Sequence, residues 1–197
     1  MVATGILKYV FMDWLNLRSA FIGTAFIFWS FYIYKRYKRN NKVLQQWGFR
    51  KKFFTRTFLF ITPFAIMLTA AIIWYGISRN AKFLNWHIIP IFIFYPVWGI
   101  LQQFLMLALI AGNLQSLSFI RLSTFQVVVL TSGIFALVHY PSLPLMVFTL
   151  IMELIFLLAY FKWRNLWPLG LYHGWVASLL LFFVLGRDLW NELWTIF

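Results

Sequence analysis

Residues 147–158 read Val147-Phe148-Thr149-Leu150-Ile151-Met152-Glu153-Leu154-Ile155-Phe156-Leu157-Leu158, an apolar run around a single carboxylic acid, with no other charge within eight residues on either side. The run continues from Leu145 to Phe161. A helix rises ~1.5 Å per residue, so ~20 such residues cross a hydrocarbon layer, and Glu153 then lies ~12 Å from the helix start at Leu145, close to the midplane. An acid at that depth is protonated, paired or watered, because a bare carboxylate in an apolar medium is too costly.

The rest of the chain extends this reading. Its 197 residues are 63% hydrophobic and 11% charged, with a mean hydropathy of +0.81, against about 25% charged residues in an ordinary soluble domain. A water-soluble core cannot absorb that much apolar side chain without large exposed patches, whereas a bilayer accepts it on the outside. The sequence predicts an all-α, polytopic transmembrane bundle of about six spanning helices, at Ser19–Tyr34, Phe53–Ile77, Trp86–Leu114, Phe125–Tyr140, Leu145–Phe161 and Pro168–Leu185. An N-terminal interfacial segment precedes them. The division expected is 1–42 as interfacial segment and anchor helix, and 43–197 as the main helical domain. Pro90 and Pro96 predict a bend or an interfacial start in the third span. Zero cysteine excludes disulfides, thiol catalysis and thiolate metal sites.

Seventeen basic residues stand against four acidic ones. Nine of the cations (Lys35, Arg36, Lys38, Arg39, Lys42, Arg50, Lys51, Lys52, Arg56) fall in one stretch from the end of the first apolar run to the start of the second, as in a cytoplasmic loop beside anionic lipid headgroups. With Arg121, Lys162 and Arg164 they make twelve on that side, against five (Lys8, Arg18, Arg79, Lys82, Arg187) on the other. The expected location is a bacterial cytoplasmic membrane, with the basic loop 35–56 inside and meeting anionic lipid. A nucleic-acid partner is not expected, since an aromatic-interleaved basic face is missing. Trp47, Trp74, Trp86, Trp163, Trp167, Trp190 and Trp194 near the span ends predict interfacial belts.

Few polar side chains sit at bilayer depth: Gln102, Gln103, His139, Glu153 and His173. Adjacent glutamines point about 100° apart on a helix, so both must face protein to avoid lipid, as interhelical glue or as amides that fix a carbonyl. Two imidazoles and a carboxylate can activate a water or hold a metal, or simply hydrogen-bond helices together. Whether a metal is bound stays open at this point. A pigment or haem site with His87, His139 or His173 as axial ligand is a further reading, although His87 beside Trp86 suits an interfacial role.

The stretch Phe135-Ala136-Leu137-Val138-His139, followed by Tyr140-Pro141-Ser142, resembles the second motif (Phe-x-x-x-His) of the CPBP family, the CAAX-protease and bacteriocin-processing (Abi-type) intramembrane proteases. Arg164-Asn165-Leu166-Trp167-Pro168-Leu169-Gly170-Leu171-Tyr172-His173-Gly174-Trp175 resembles the lead-in to the family's third-motif His. Val43 to Lys51 is similar to the linker that often precedes the catalytic part, so the resemblance covers about 43–186. Where the family has Glu-Glu-x-x-x-Arg, this chain has Gln102, Gln103 and Leu107, and Ala177 stands at the Asn or Asp position. The resemblance implies that the first-motif Glu activates water and that the histidines and Asn stabilise the oxyanion. A glutamine has no basic form near neutral pH, so by that mechanism the chain lacks its base.

Glu153 offers a replacement. Two functions follow: hydrolysis of a membrane-tethered or lipidated peptide by Glu153, His139, His173, Gln102 and Gln103 without a cofactor, or a catalytically degenerate binding or assembly subunit. Depth counting sets Glu153 nearer His173 than His139, and His139 joins them only if the fourth helix stops inside the membrane near Tyr140-Pro141.

Overall fold

The computed structural model describes residues 2–15, 17–79 and 86–194, without the side chains of residues 2, 3 and 13, and these residues form helices and turns throughout. In chain order they are α1 (Val2–Lys8) running into a π-helical turn (Tyr9–Trp14), α2 (Arg18–Arg39), α3 (Val43–Gln46), α4 (Phe54–Ser78), α5 (Ile88–Gln103), a π-helical segment (Phe104–Ala111) with a last turn α6 (Gly112–Gln115), α7 (Thr124–Leu137), α8 (Leu143–Trp163), α9 (Trp167–Phe183) and α10 (Leu189–Trp194). The fold is a helical membrane bundle. Three helices are long and apolar enough to cross a bilayer: Phe54–Ser78, the continuous Ile88–Gln115, and Leu143–Trp163. The other three expected spans are α2, which carries basic residues in its last turn, and two shorter apolar helices, α7 and α9.

One expectation about the basic stretch is corrected. Lys35 to Arg39 belong to the last turns of α2 rather than to a loop, where cations complement the carbonyl end of the helix. The helix continues past both prolines, with Pro90 in the first turn, where no N–H is required, and Pro96 within α5. The irregularity comes instead at Phe104, directly after Gln103. Trp74, Trp86 and Trp194 lie on the outside, but Trp47 is buried in the core, where it stacks on Tyr32 and meets Phe104 edge-on. Trp98 packs on Phe21 and Phe26, and Trp175 stacks on Phe92. Lys82, one of the five outer cations, lies outside the described residues.

Local sequence explains the ends of the helices that matter for the site. Ser123 and Gln126 make a reciprocal capping box at the start of α7. Its C-terminal end tightens as His139 N–H donates to Ala136 O and Tyr140 N–H to Leu137 O, and Pro141 disfavours helix at the residue before it. Fourteen residues cover only ~21 Å, less than the ~30 Å of a hydrocarbon layer. Pro168 opens α9 in its first turn.

The tightest pairing is α5 against α9, and glycine makes it. A Cβ on Gly99 would stand 2.5 Å from Gly170 O and 2.7 Å from Gly174 N, and one on Gly170 would stand 2.5 Å from Ile100 Cα. A Cβ on Gly174 would strike the Pro96 backbone. Bare backbones therefore touch, as small-xxx-small pairs allow in lipid. Around this seam α4 also packs on α9, and α7 on α8. Ile61, Leu107, Val127, Phe135, Met152, Phe156 and Leu169 form the main core.

At one pole, residues 46–52 are bolted to 160–166. Tyr160 Oη donates to Trp47 O (3.0 Å), Leu166 N–H to Gly48 O (2.9 Å), and the buried Asn165 amide to Arg50 O and Lys52 O (2.7 and 2.9 Å). Gly48 takes φ +98° there, a backbone state open to glycine without penalty. At the other pole α10 folds back on α2 and α5.

Candidate functional site

Gln103, Glu153 and His173 come together from α5, α8 and α9. Gln103 and Glu153 are fully buried and His173 is 2% exposed. The Gln103 Nε2 amide donates to Glu153 Oε2 at 2.8 Å and lies 2.9 Å from His173 Nδ1. An amide nitrogen only donates, so His173 Nδ1 is the acceptor and its proton resides on Nε2. In His139 the assignment reverses: Nδ1 faces the Phe135 carbonyl at 2.8 Å, a pure acceptor, which puts the proton on Nδ1 and the lone pair on Nε2. His139 thus offers a basic imidazole nitrogen and His173 an imidazole N–H donor.

The Phe135 ring ties the two histidines together. It stands 5.0 Å from the His139 ring, edge-on, and 5.5 Å from the His173 ring. α7 ends at Leu137, two residues before His139, and Phe135 on its last turn is the neighbour that the two imidazoles share. Glu153 Oε1 and Gln103 Oε1 are buried without a hydrogen-bond partner among the described residues. Buried polar atoms in folded proteins nearly always find partners, so both oxygens can accept from a water or a substrate N–H.

Gln102 is separated from this group. It is half-buried, its Oε1 buried without a partner, and it forms no hydrogen bond to Glu153 or His173 that would make it part of the trio. Leu107 is fully buried and Ala177 nearly so. His87 lies elsewhere, with Nδ1 2.6 Å from Asp188 Oδ2. Among the described residues, no group of three His, Asp or Glu side chains is arranged to hold a metal ion.

Sequence reasoning missed the residues that set the geometry: Gly99, Gly170 and Gly174 in the α5–α9 seam. The spacing Gly170-x-x-x-Gly174 was the available signal, and it brackets His173. The π-helical turn after Gln103 belongs with them, since such turns commonly sit at functional sites.

Buried acid, amide and imidazole on a bundle of membrane helices define the class: an integral membrane protein with an internal polar site. Residues 84–179 match the family model described as Rce1-like, type II CAAX prenyl endopeptidase Rce1-like. Through this region, which contains all five candidate site residues, the chain belongs to the CPBP, or CAAX-protease, family. No curated protein and no solved structure matches the chain.

Proposed function

We propose that this protein is a membrane-embedded peptidase of the CAAX-protease type in which Glu153 is the general base and the substrate is a membrane-tethered or lipidated peptide. The observation that carries the reading is the Gln103 amide, held between Glu153 Oε2 and His173 Nδ1. Gln103 stands where the family has a first-motif glutamate, and it cannot take a proton. It positions instead, leaving Glu153 Oε1 to receive a proton from water as the water oxygen bonds to the scissile carbonyl carbon. His173 Nε2–H donates to the developing oxyanion. As the C–N bond breaks, the proton on Glu153 passes to the leaving amine, and His139 Nε2 offers a second site for that transfer.

The bundle 43–197 carries this chemistry, with 1–42 as anchor, in a bacterial cytoplasmic membrane with the basic pole inside. A second reading, a non-hydrolytic binding or assembly subunit, is favoured by one observation. Gln103 and Glu153 are fully buried, and the cavities of about 420 and 340 Å³ open elsewhere on the molecule.

The test is cleavage of a membrane-tethered reporter peptide by the full chain in vesicles. Glu153→Gln keeps an oxygen to accept from Gln103 but has no basic form, and cleavage is expected to fall at least about 100-fold. Unchanged cleavage rejects Glu153 as base. Absence of cleavage in the parent chain across tethered peptides supports the binding reading.

A further inference from the structure

Whatever chemistry the buried trio performs, the basic pole holds a second site independent of it. A cavity of about 420 Å³ is lined by Arg50, Lys51, Phe54, Trp167 and Leu171. Its position is set by the bolt between 46–52 and 160–166, because Asn165 fixes the carbonyls of Arg50 and Lys52 and Arg50 Nη2 donates to Trp163 O at 2.5 Å. The Arg50 Nε–H is buried without a partner. Next to the cavity, Phe53 has φ +64°, a left-handed state that is strained for a bulky residue. The cations of Arg50, Lys52 and Arg56 stand 5.7, 4.9 and 5.6 Å from its ring centroid. The ring face attracts each cation, but the like charges repel one another, and an anion among them would relieve that repulsion.

The described residues do not supply that anion. The chain's four acidic residues are Asp13, Glu153, Asp188 and Glu192. Glu153 is buried against Gln103, and the ion pairs among the described residues, Arg18–Glu192, Arg187–Glu192 and His87–Asp188, are all at the α10 end. Asp13 precedes α2 at the end opposite Lys35 to Arg39. Among the described residues, none of the nine cations of 35–56 makes an ion pair with a carboxylate.

We infer that this cavity binds the phosphate of an anionic phospholipid, with Arg50 and Lys51 on the headgroup and Phe54, Trp167 and Leu171 against the glycerol and upper acyl region. A lipid rather than a free anion fits because the walls beside the two cations are apolar, and because the cavity opens where α4 and α9 begin, and the ends of membrane helices are where headgroups are met.

The experiment uses the full chain in nanodiscs of phosphatidylcholine with and without phosphatidylglycerol, reading thermal unfolding and, by native mass spectrometry, retained lipid. Phosphatidylglycerol is expected to raise Tm and to stay bound, less so at high salt. Lys51→Gln, at an exposed position, is expected to weaken retention about fivefold, as for one basic side chain at an anionic surface. Lys38→Gln, on the exposed end of α2, is expected to leave retention unchanged. Equal losses in the two variants mean diffuse surface attraction and overturn the cavity. Equal Tm in both nanodiscs also overturns it, and stabilisation by inorganic phosphate in phosphatidylcholine alone overturns the lipid assignment.

Discussion

Gln103 satisfies two buried acceptors with one –NH₂ group, and few side chains in the molecule have so much depending on them. Gln103→Leu removes the donor from Glu153 Oε2 and His173 Nδ1 together. Leaving a buried acceptor unpaired costs on the order of 1–3 kcal/mol, so this substitution is expected to lower the unfolding midpoint clearly in a detergent titration. Gln102→Leu is the control one residue away. Its Oε1 already lacks a partner, and replacing an unsatisfied amide by an apolar group is expected to be neutral or stabilising. Equal losses in the two variants contradict the arrangement. That polar side chains would gather was legible from their scarcity. Which glutamine faces the acid was not, because α5 is apolar around nearly its whole circumference and shows no face to the reader.

At the scale of elements, the α5–α9 seam decides whether Gln103 and His173 can meet. Gly174→Ala adds a methyl that strikes the Pro96 backbone, where no side chain can swing away. Overpacking of this kind costs typically 1–3 kcal/mol, and because the helices must separate, loss of reporter cleavage is expected alongside the lower Tm. Gly133→Ala on α7 is the opposite case: a Cβ there meets nothing within 4 Å, so the change is expected to raise stability by about 0.5–1 kcal/mol through helix propensity. The two alanines should move Tm in opposite directions. Helix limits were largely readable here, since α4, α8 and α9 fall within about two residues of their apolar runs. Pro141 marked the end of α7, although the last turn closes three residues earlier. The π-helical segment after Gln103 carried no composition signal at all.

Across the whole molecule, charge separates into two poles. The basic pole is bolted by Asn165, Arg50 and Gly48, whereas the other is an ionic clasp in which Glu192 meets Arg187 (2.6 Å) and Arg18, and Ser19 Oγ donates to Leu193 O at 2.6 Å. Burial pushes the Glu192 carboxyl up, but hydrogen bonds and charge from Arg187 and Arg18 outweigh it and hold the group below its usual range. A depressed carboxylate contributes stability above its unfolded pKa of about 4.3 and loses it as pH falls through the lower folded value. Protection of 186–194 against hydrogen exchange, taken relative to the intrinsic rate at each pH, is therefore expected to be high at pH 6 and to fall as pH drops below about 4. Glu192→Gln should show lower protection at pH 6 and little further loss on acidification. Protection that stays constant across that range in the parent chain refutes the clasp.

Lipid as solvent, helices as elements and a short roster of expensive polar residues were all determined by the chain itself, because hydrophobic length and the cost of burying an acid are properties of a one-dimensional string. The motif around His139 and His173 likewise carried the family. Only the tertiary structure decided that Gln103 and not Gln102 reaches Glu153, that the two imidazoles share Phe135, and that Trp47 goes inward. Those outcomes depend on the rotation of each helix about its axis and on how closely Gly99, Gly170 and Gly174 let backbones approach, and helices apolar on every side leave that rotation unwritten until they pack.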